Sequence, residues 1–212
     1  MGHGSQAPRR SPPEKCAACQ RPLDSPLFCS SCRRLYPADG LNLFELLGLP
    51  ATYDVDPEVV RRKYFELARH THPDRAGGLS GESQWLSLRV AARLNEAYRV
   101  LLDPVLRAEY LLELAGGKSA ADDRQVPQDV LVDALELREQ IEAARAAQAA
   151  SRLDALRNTV RSRYQRVLDE AAALARGLPG NAGTQAALRG KLNALRYYRK
   201  LLEQLEPGVG MA

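Results

Sequence analysis

Three groups of residues in this 212-residue chain have types and spacings that could do chemistry or bind a partner. The first is Cys16-Ala17-Ala18-Cys19 followed, after nine further residues, by Cys29-Ser30-Ser31-Cys32. Two C-x-x-C turns bring four soft thiolates into reach of one tetrahedral ion, so Cys16, Cys19, Cys29 and Cys32 predict a structural zinc site. A redox dithiol pair and an iron site are the rival readings. The second group is His72-Pro73-Asp74. A proline holds φ at about −65°, which presents His72 and Asp74 at a fixed separation as one recognition unit. A catalytic His–Asp dyad needs a nucleophile, a phosphate-cradling loop or a ligand cluster beside it, and none accompanies this one, so the expectation is a protein that is not an enzyme. The third group is the run Val130 to Glu142, which carries two apolar stripes at 100° per residue. Val130, Ala134, Leu137 and Ile141 share one side; Leu131, Val132 and Leu135 share another, interleaved with Glu136, Glu139 and Glu142. An apolar patch framed by acids suits a basic protein partner, and burial of both stripes under a further helix accounts for the same pattern.

These residues need elements to position them. Leu43, Leu46 and Leu47 recur at helical spacing until Gly48 and Pro50 end a short helix. A second helix starts at Asp56-Pro57, with Asp as N-cap and Pro at the first helical position, and runs to about His70. Val60, Tyr64 and Leu67 form its core stripe, with Arg61, Arg62 and Arg69 largely opposite. Pro73 stops it, and Gly77, Gly78 and Gly81 predict irregular chain before a third helix over Gln84–Leu102. A fourth restarts at Asp103-Pro104 and closes at Gly116-Gly117. Beyond Pro127 the chain is rich in Ala, Leu, Arg, Glu and Gln, all good helix formers, and predicts two or three long helices packed as a bundle. Leu178-Pro179-Gly180-Asn181 marks one turn and Ala149–Ser151 a softer bend. No window alternates like a strand, so the fold class is all-α outside the cysteine segment.

The organisation read from composition is a disordered tail over 1–15, a zinc-binding segment over 16–40 and a helical domain over 41–117. A polar linker over 118–126, a helical bundle over 127–207 and a tail over 208–212 complete it. Clustering of every cysteine between positions 16 and 32 argues against the distributed disulfides of a secreted domain. The net charge of +4 is spread among 26 acidic residues and does not by itself point to nucleic acid. No apolar run approaches the roughly 18 residues that cross a bilayer. Residues Met1 to Lys15 resemble neither a secretory signal nor an amphipathic transit helix. The expectation is a soluble, cytoplasmic protein: bacterial cytosol, or mitochondrial matrix in a eukaryote.

Leu43-Phe44-Glu45-Leu46-Leu47-Gly48, the helix from Pro57, the His72-Pro73-Asp74 tripeptide, Asn95-Glu96-Ala97-Tyr98-Arg99-Val100-Leu101 and Asp103-Pro104 through Tyr110 together resemble a J-domain, in order. The resemblance implies that His72, Pro73 and Asp74, with the basic Arg61 and Arg62 beside them, contact the ATP state of a DnaK-type chaperone and trigger hydrolysis there. A solvated face with Arg62 paired to Glu66 is the plainer account of the arginines. Further on, Leu135-Glu136-Leu137-Arg138-Glu139, Leu195-Arg196-Tyr197-Tyr198-Arg199-Lys200-Leu201 and Arg107-Ala108-Glu109-Tyr110-Leu111-Leu112 resemble the HscB family of iron–sulfur cluster co-chaperones. That resemblance implies an IscU-like scaffold protein bound through Leu131, Val132, Leu135, Glu136, Glu139 and Tyr197, and an HscA-type ATPase as the chaperone. The chain departs from the family in Arg75-Ala76 after the tripeptide and in the glycine-rich stretch that follows. The alternatives are a J-domain adaptor for general folding or another client, and a zinc-ribbon nucleic-acid regulator. The latter would have only Phe28 and Tyr36 to stack on bases.

Overall fold

The computed structural model describes residues 14–71 and 81–206. His72, Pro73 and Asp74 therefore lie outside the described residues, as do Arg75, Ala76, residues 1–13 and residues 207–212 of the expected tails. Seven helices are present among the described residues: α1 (Leu43–Leu47), α2 (Pro57–Thr71), α3 (Gly81–Leu102), α4 (Pro104–Leu114), α5 (Gln128–Ala146), α6 (Ala150–Arg176) and α7 (Ala182–Leu205). The all-α class is as the sequence predicts, with α3 beginning three residues before the expected Gln84. Outside the helices the described residues hold two isolated antiparallel bridges, Lys15 with Pro22 and Phe28 with Leu35.

Capping chemistry sets the short elements. Asn42 Oδ1 accepts from the backbone N–H groups of Phe44 and Glu45, both at 2.9 Å, while the Glu45 carboxylate accepts from the Asn42 N–H at 2.7 Å. This reciprocal box satisfies donors that a five-residue helix otherwise leaves open. Gly48 ends α1 with φ +65°, a conformation that a Cβ would strain. At α2 the Asp56 carboxylate accepts from the Glu58 N–H at 2.8 Å, as its N-cap position predicts.

The chain divides into two compact units, the first ending at Pro104 and the second beginning at Val105. In the first unit α2 and α3 pack as an antiparallel pair and α1 packs against both. Leu43, Phe44, Leu46, Leu47, Val60 and Leu94 are buried. Tyr64, midway along α2, donates to Asn95 Oδ1 at 2.6 Å and stacks on Tyr98 at 4.3 Å. At the C-terminal end of α2 the buried Ser87 hydroxyl donates to the Thr71 carbonyl at 2.6 Å. The two contacts fix the register of the helices.

In the second unit α6 and α7 pack along each other and α5 packs on both. Two arginine contacts from Arg157 of α6 reach the terminal carbonyl of Leu205 in α7, at 2.7 and 3.2 Å, which makes the α6–α7 pair antiparallel and satisfies an end-of-helix acceptor. The bend before α6 falls at Ala147–Ala149, where Gln148 takes φ +50°. A polar ladder on α7 then holds what precedes the bundle. Gln185 donates to the Ala115 carbonyl at 3.1 Å, and Arg189 donates to both Glu109 oxygens at 2.8 and 3.3 Å. Asn193 donates to the Asp123 and Gln125 carbonyls at 3.0 and 2.8 Å. The fourth helix, assigned from sequence to the first domain, accordingly groups with the C-terminal unit. The polar segment 118–126 is gripped by α7 through Asn193.

Candidate functional site

The cysteine segment is built from two matching knuckles. In each, the first cysteine donates its N–H to a carbonyl five residues on, Cys16 to Arg21 at 2.8 Å and Cys29 to Arg34 at 2.9 Å. In each, the first cysteine's carbonyl also accepts from the residue four on, Gln20 or Arg33, at 2.8 Å. Gln20 and Arg33 take φ +60° and +61°, the left-handed conformation that turns the chain back on itself. The fold thus asks for a tight turn at two non-glycine positions, which nothing in the residue types announces.

The turns converge all four sulfurs. Every Sγ lies within 4.8 Å of the others; Cys16 and Cys32 are 3.5 Å apart, and Cys19 and Cys29 are 3.6 Å apart. All four cysteines are free thiols. A tetrahedral thiolate site with a metal–sulfur bond of about 2.3 Å has edges of about 3.8 Å, so the donor set fits such an ion in type and spacing. Electrostatics fits as well. The Tyr36 hydroxyl donates to Cys16 Sγ at 3.1 Å and, with the nearby backbone amides, lowers that thiol to about 6. The Ala17 N–H in turn donates to the Tyr36 oxygen at 2.9 Å, which orients the hydroxyl. The backbone N–H groups that follow Cys29, Cys32 first among them, lower its thiol too. Cys32 carries the cost. Its backbone contact at Arg34 favours the thiolate, but the neighbouring sulfurs, Cys16 foremost, push it up to about 11. Four anionic sulfurs repel one another unless a cation sits among them. Cys16 and Cys29 are buried and Cys32 is exposed, so the cluster has one open corner.

Phe28 and Tyr36, the two aromatics a nucleic-acid reading would use, are 7% and 8% exposed. Tyr36 is committed to Cys16, and Phe28 stacks on His70 with centroids 4.4 Å apart at 17°. Neither ring is available to a base, and the segment offers no other stacking platform among the described residues.

Of the proposed chaperone-facing residues, Arg61 and Arg62 are both exposed on α2. Arg61 pairs with Glu58 one turn back. Glu66 lies 3.8 Å from Lys63, a pairing of one turn that differs from the Arg62–Glu66 bond expected from spacing. Phe65, on the same helix, is 54% exposed and was not singled out by sequence; its place off the Val60–Leu67 stripe was the available signal.

The two stripes of α5 have separated. Val130, Ala134, Leu137 and Ile141 are buried, while Leu131, Val132 and Leu135 are 41%, 51% and 59% exposed. Glu136 and Glu139 stand exposed beside them. On α7, Tyr197 is 43% exposed and its neighbour Tyr198 is buried, donating to Asp133 Oδ2 of α5 at 2.9 Å. That bond, seconded by an Arg163–Asp133 ion pair from α6, brings the Tyr197 region of α7 to the level of Leu131–Leu135. No helix covers the second stripe among the described residues. Sequence reasoning missed Arg189 and Asn193, which are 2% and 4% exposed and bind Glu109 and the 123–125 backbone. Their only mark in the sequence is a four-residue spacing inside an apolar stripe.

A short helix seated on an antiparallel helical pair, with a further short helix after it, is the J-domain arrangement, and residues 42–110 match the DnaJ domain family model. The class is therefore that of J-domain co-chaperones. Residues 126–206 match the model of the HSCB C-terminal oligomerisation domain. The chain is 32% identical over 169 residues to the HscB co-chaperone homologue of Vibrio atlanticus, covering 78% of this chain and 95% of that one. It is 33% identical over 167 residues to the homologue of an Azoarcus species, covering 78% and 92%. Among solved structures, chaperone HscB of Vibrio cholerae superposes with a TM-score of 0.68 at 28% identity, covering 78% of this chain and 96% of that one. The human co-chaperone HscB shares the fold, with a TM-score of 0.76 at 22% identity, covering 91% and 96%. The chain belongs to the HscB co-chaperone family.

Proposed function

We propose that this protein couples an IscU-like iron–sulfur scaffold to a DnaK/HscA-type ATPase, binding the scaffold through α5 and α7 and stimulating hydrolysis on the chaperone through its J-domain. The observation that carries this reading is the division of α5. Leu131, Val132 and Leu135 stay exposed, rimmed by Glu136 and Glu139, although a second apolar stripe on the same helix is buried. Exposed leucine and valine clustered on one face cost solvation with no return in folding, so their use lies in a partner. The acids on the rim steer that partner and set its register, and Tyr197 supplies an aromatic anchor.

At the other end, Arg61 and Arg62 present fixed positive charge on the helix that leads into His72-Pro73-Asp74. An acidic groove on the ATP-bound chaperone complements that face, and Asp74 biases the contacts that release hydrolysis. The chain itself cleaves no bond. The four cysteines hold a structural zinc, which supplies folding free energy to a segment with little core of its own. The protein works where cluster assembly takes place, in the bacterial cytosol or the mitochondrial matrix.

The test is a titration of purified scaffold against wild type and Leu135→Ala. Binding by wild type that is lost or strongly weakened in the variant supports the client. Equal binding by both, or by neither, removes it and leaves a J-domain adaptor for another client. Separately, Asp74→Asn is expected to abolish stimulation of the chaperone ATPase while scaffold binding persists, and undiminished stimulation contradicts the chaperone role.

A further inference from the structure

The metal-binding knuckles touch the helix that leads to the chaperone-activating tripeptide, and that contact has a consequence for both. Phe28 immediately precedes the buried ligand Cys29, and its backbone bridges Leu35 across the second knuckle. Its ring stacks on His70, in the last turn of α2, two residues before His72. The next residue, Thr71, is held by α3, its carbonyl accepting from Ser87. The end of α2 is therefore held by both α3 and the cysteine segment. Two more contacts fasten the end of that segment and the residue after it to the pair: Asp39 accepts from Arg89 at 2.6 Å, and the Leu41 carbonyl accepts from Arg93 at 3.4 Å.

We infer that Phe28 is a positioning residue through which the four-cysteine site sets the geometry of the last turn of α2, so that metal binding and the chaperone-activating end of the J-domain are thermodynamically coupled. Cys29 can hold its place only while the sulfurs are gathered, and Phe28 is bonded to it. When the knuckle opens, the ring leaves His70 and the final turn of α2 loses its outer support. The inference rests on the reading that the cysteines hold a metal. It goes beyond that reading because a metal serving only to fold residues 16–40 has no need of His70.

Coupling is reciprocal, which makes it testable from the side that bears no ligand. In the full-length, metal-loaded protein, His70→Ala removes the stack without touching a sulfur. Chelator competition is expected to show metal affinity roughly two- to tenfold weaker, the factor an aromatic pair implies. In the wild type, metal removal should shift the His70 ring resonances away from their ring-current position and speed amide exchange at Arg69–Thr71 by a similar factor. Phe28→Ala should reproduce both changes with metal still bound, chelation should then add nothing at His70, and Phe28→Tyr should restore the wild-type signals. Unchanged metal affinity in His70→Ala, or His70 resonances indifferent to chelation, overturns the coupling. A purified wild type that takes up no metal at all brings down the metal reading and the inference with it, so the two failures are told apart.

Discussion

The cysteine segment and the C-terminal helical unit solve opposite problems. In residues 16–40 the residues with chemistry are the core: Cys16, Cys29 and Tyr36 form the buried cluster, with Cys19 and Leu23 against it. In the C-terminal unit the core is aliphatic, and the interesting residues are the ones that the core leaves out, Leu131, Val132 and Leu135. A short segment has little apolar surface to bury, and here its four sulfurs, which could hold a metal ion, stand where a core would be. A bundle with Ile141, Leu188, Leu192 and Leu195 fully buried has apolar surface to spare for a partner. A mutation in the first region therefore tests folding and binding together, whereas the second region lets them be separated.

The largest effect should come from the sulfurs. Cys29→Ser, or chelation, is expected to abolish stoichiometric metal binding and with it a contribution of the order of 10 kcal/mol to ordering the segment. Mass spectrometry and amide exchange over 16–40 would read this, with ellipticity at 222 nm nearly unchanged because α1 to α7 lie outside it. Retained protection there would end the contrast between the regions. Next, Ile141→Ala on the buried stripe of α5 should cost about 2–5 kcal/mol in denaturant unfolding, because the cavity cannot fully collapse. Glu109→Ala should cost about 3 kcal/mol, since it leaves the Arg189 guanidinium buried without its carboxylate. A smaller loss would mean that segment 105–126 is held less tightly than its hydrogen bonds indicate. Tyr36→Phe keeps the ring and removes the donor to Cys16, and metal affinity should fall about tenfold to a hundredfold. Smallest of all in stability is Leu135→Ala. At 59% exposure it should change unfolding by less than about 0.5 kcal/mol while weakening scaffold binding, and that dissociation of effects is the sharpest test of the comparison.

Much of the fold was legible because its signals are local. Asp56-Pro57 started a helix, Gly48 and Gly116 ended theirs, and Leu178–Asn181 turned the chain, each through the geometry of a few neighbouring residues. The start of α3 was read late because Gly81 is a poor helix former that nevertheless occupies the first position, where the entropic cost is smallest. Segment 118–126 read as a linker because polarity is visible in sequence, whereas the Asn193 side chain that grips it sits some seventy residues away.

By itself the sequence determined the two C-x-x-C pairs, the helix order and the existence of two apolar stripes on α5, since spacing and periodicity belong to a single segment of chain. Three things only the tertiary structure decided. Among the described residues it left the Leu131–Leu135 stripe uncovered, because α6 and α7 meet α5 on the side of Val130, Leu137 and Ile141. It buried Arg189 and Asn193, because α7 has acceptors facing it from Glu109 and the 123–125 backbone. It laid Phe28 on His70, because the second knuckle folds back against α2. Each is a meeting of residues far apart in the chain, and which face a residue shows to solvent is settled only when a second element arrives to cover the other.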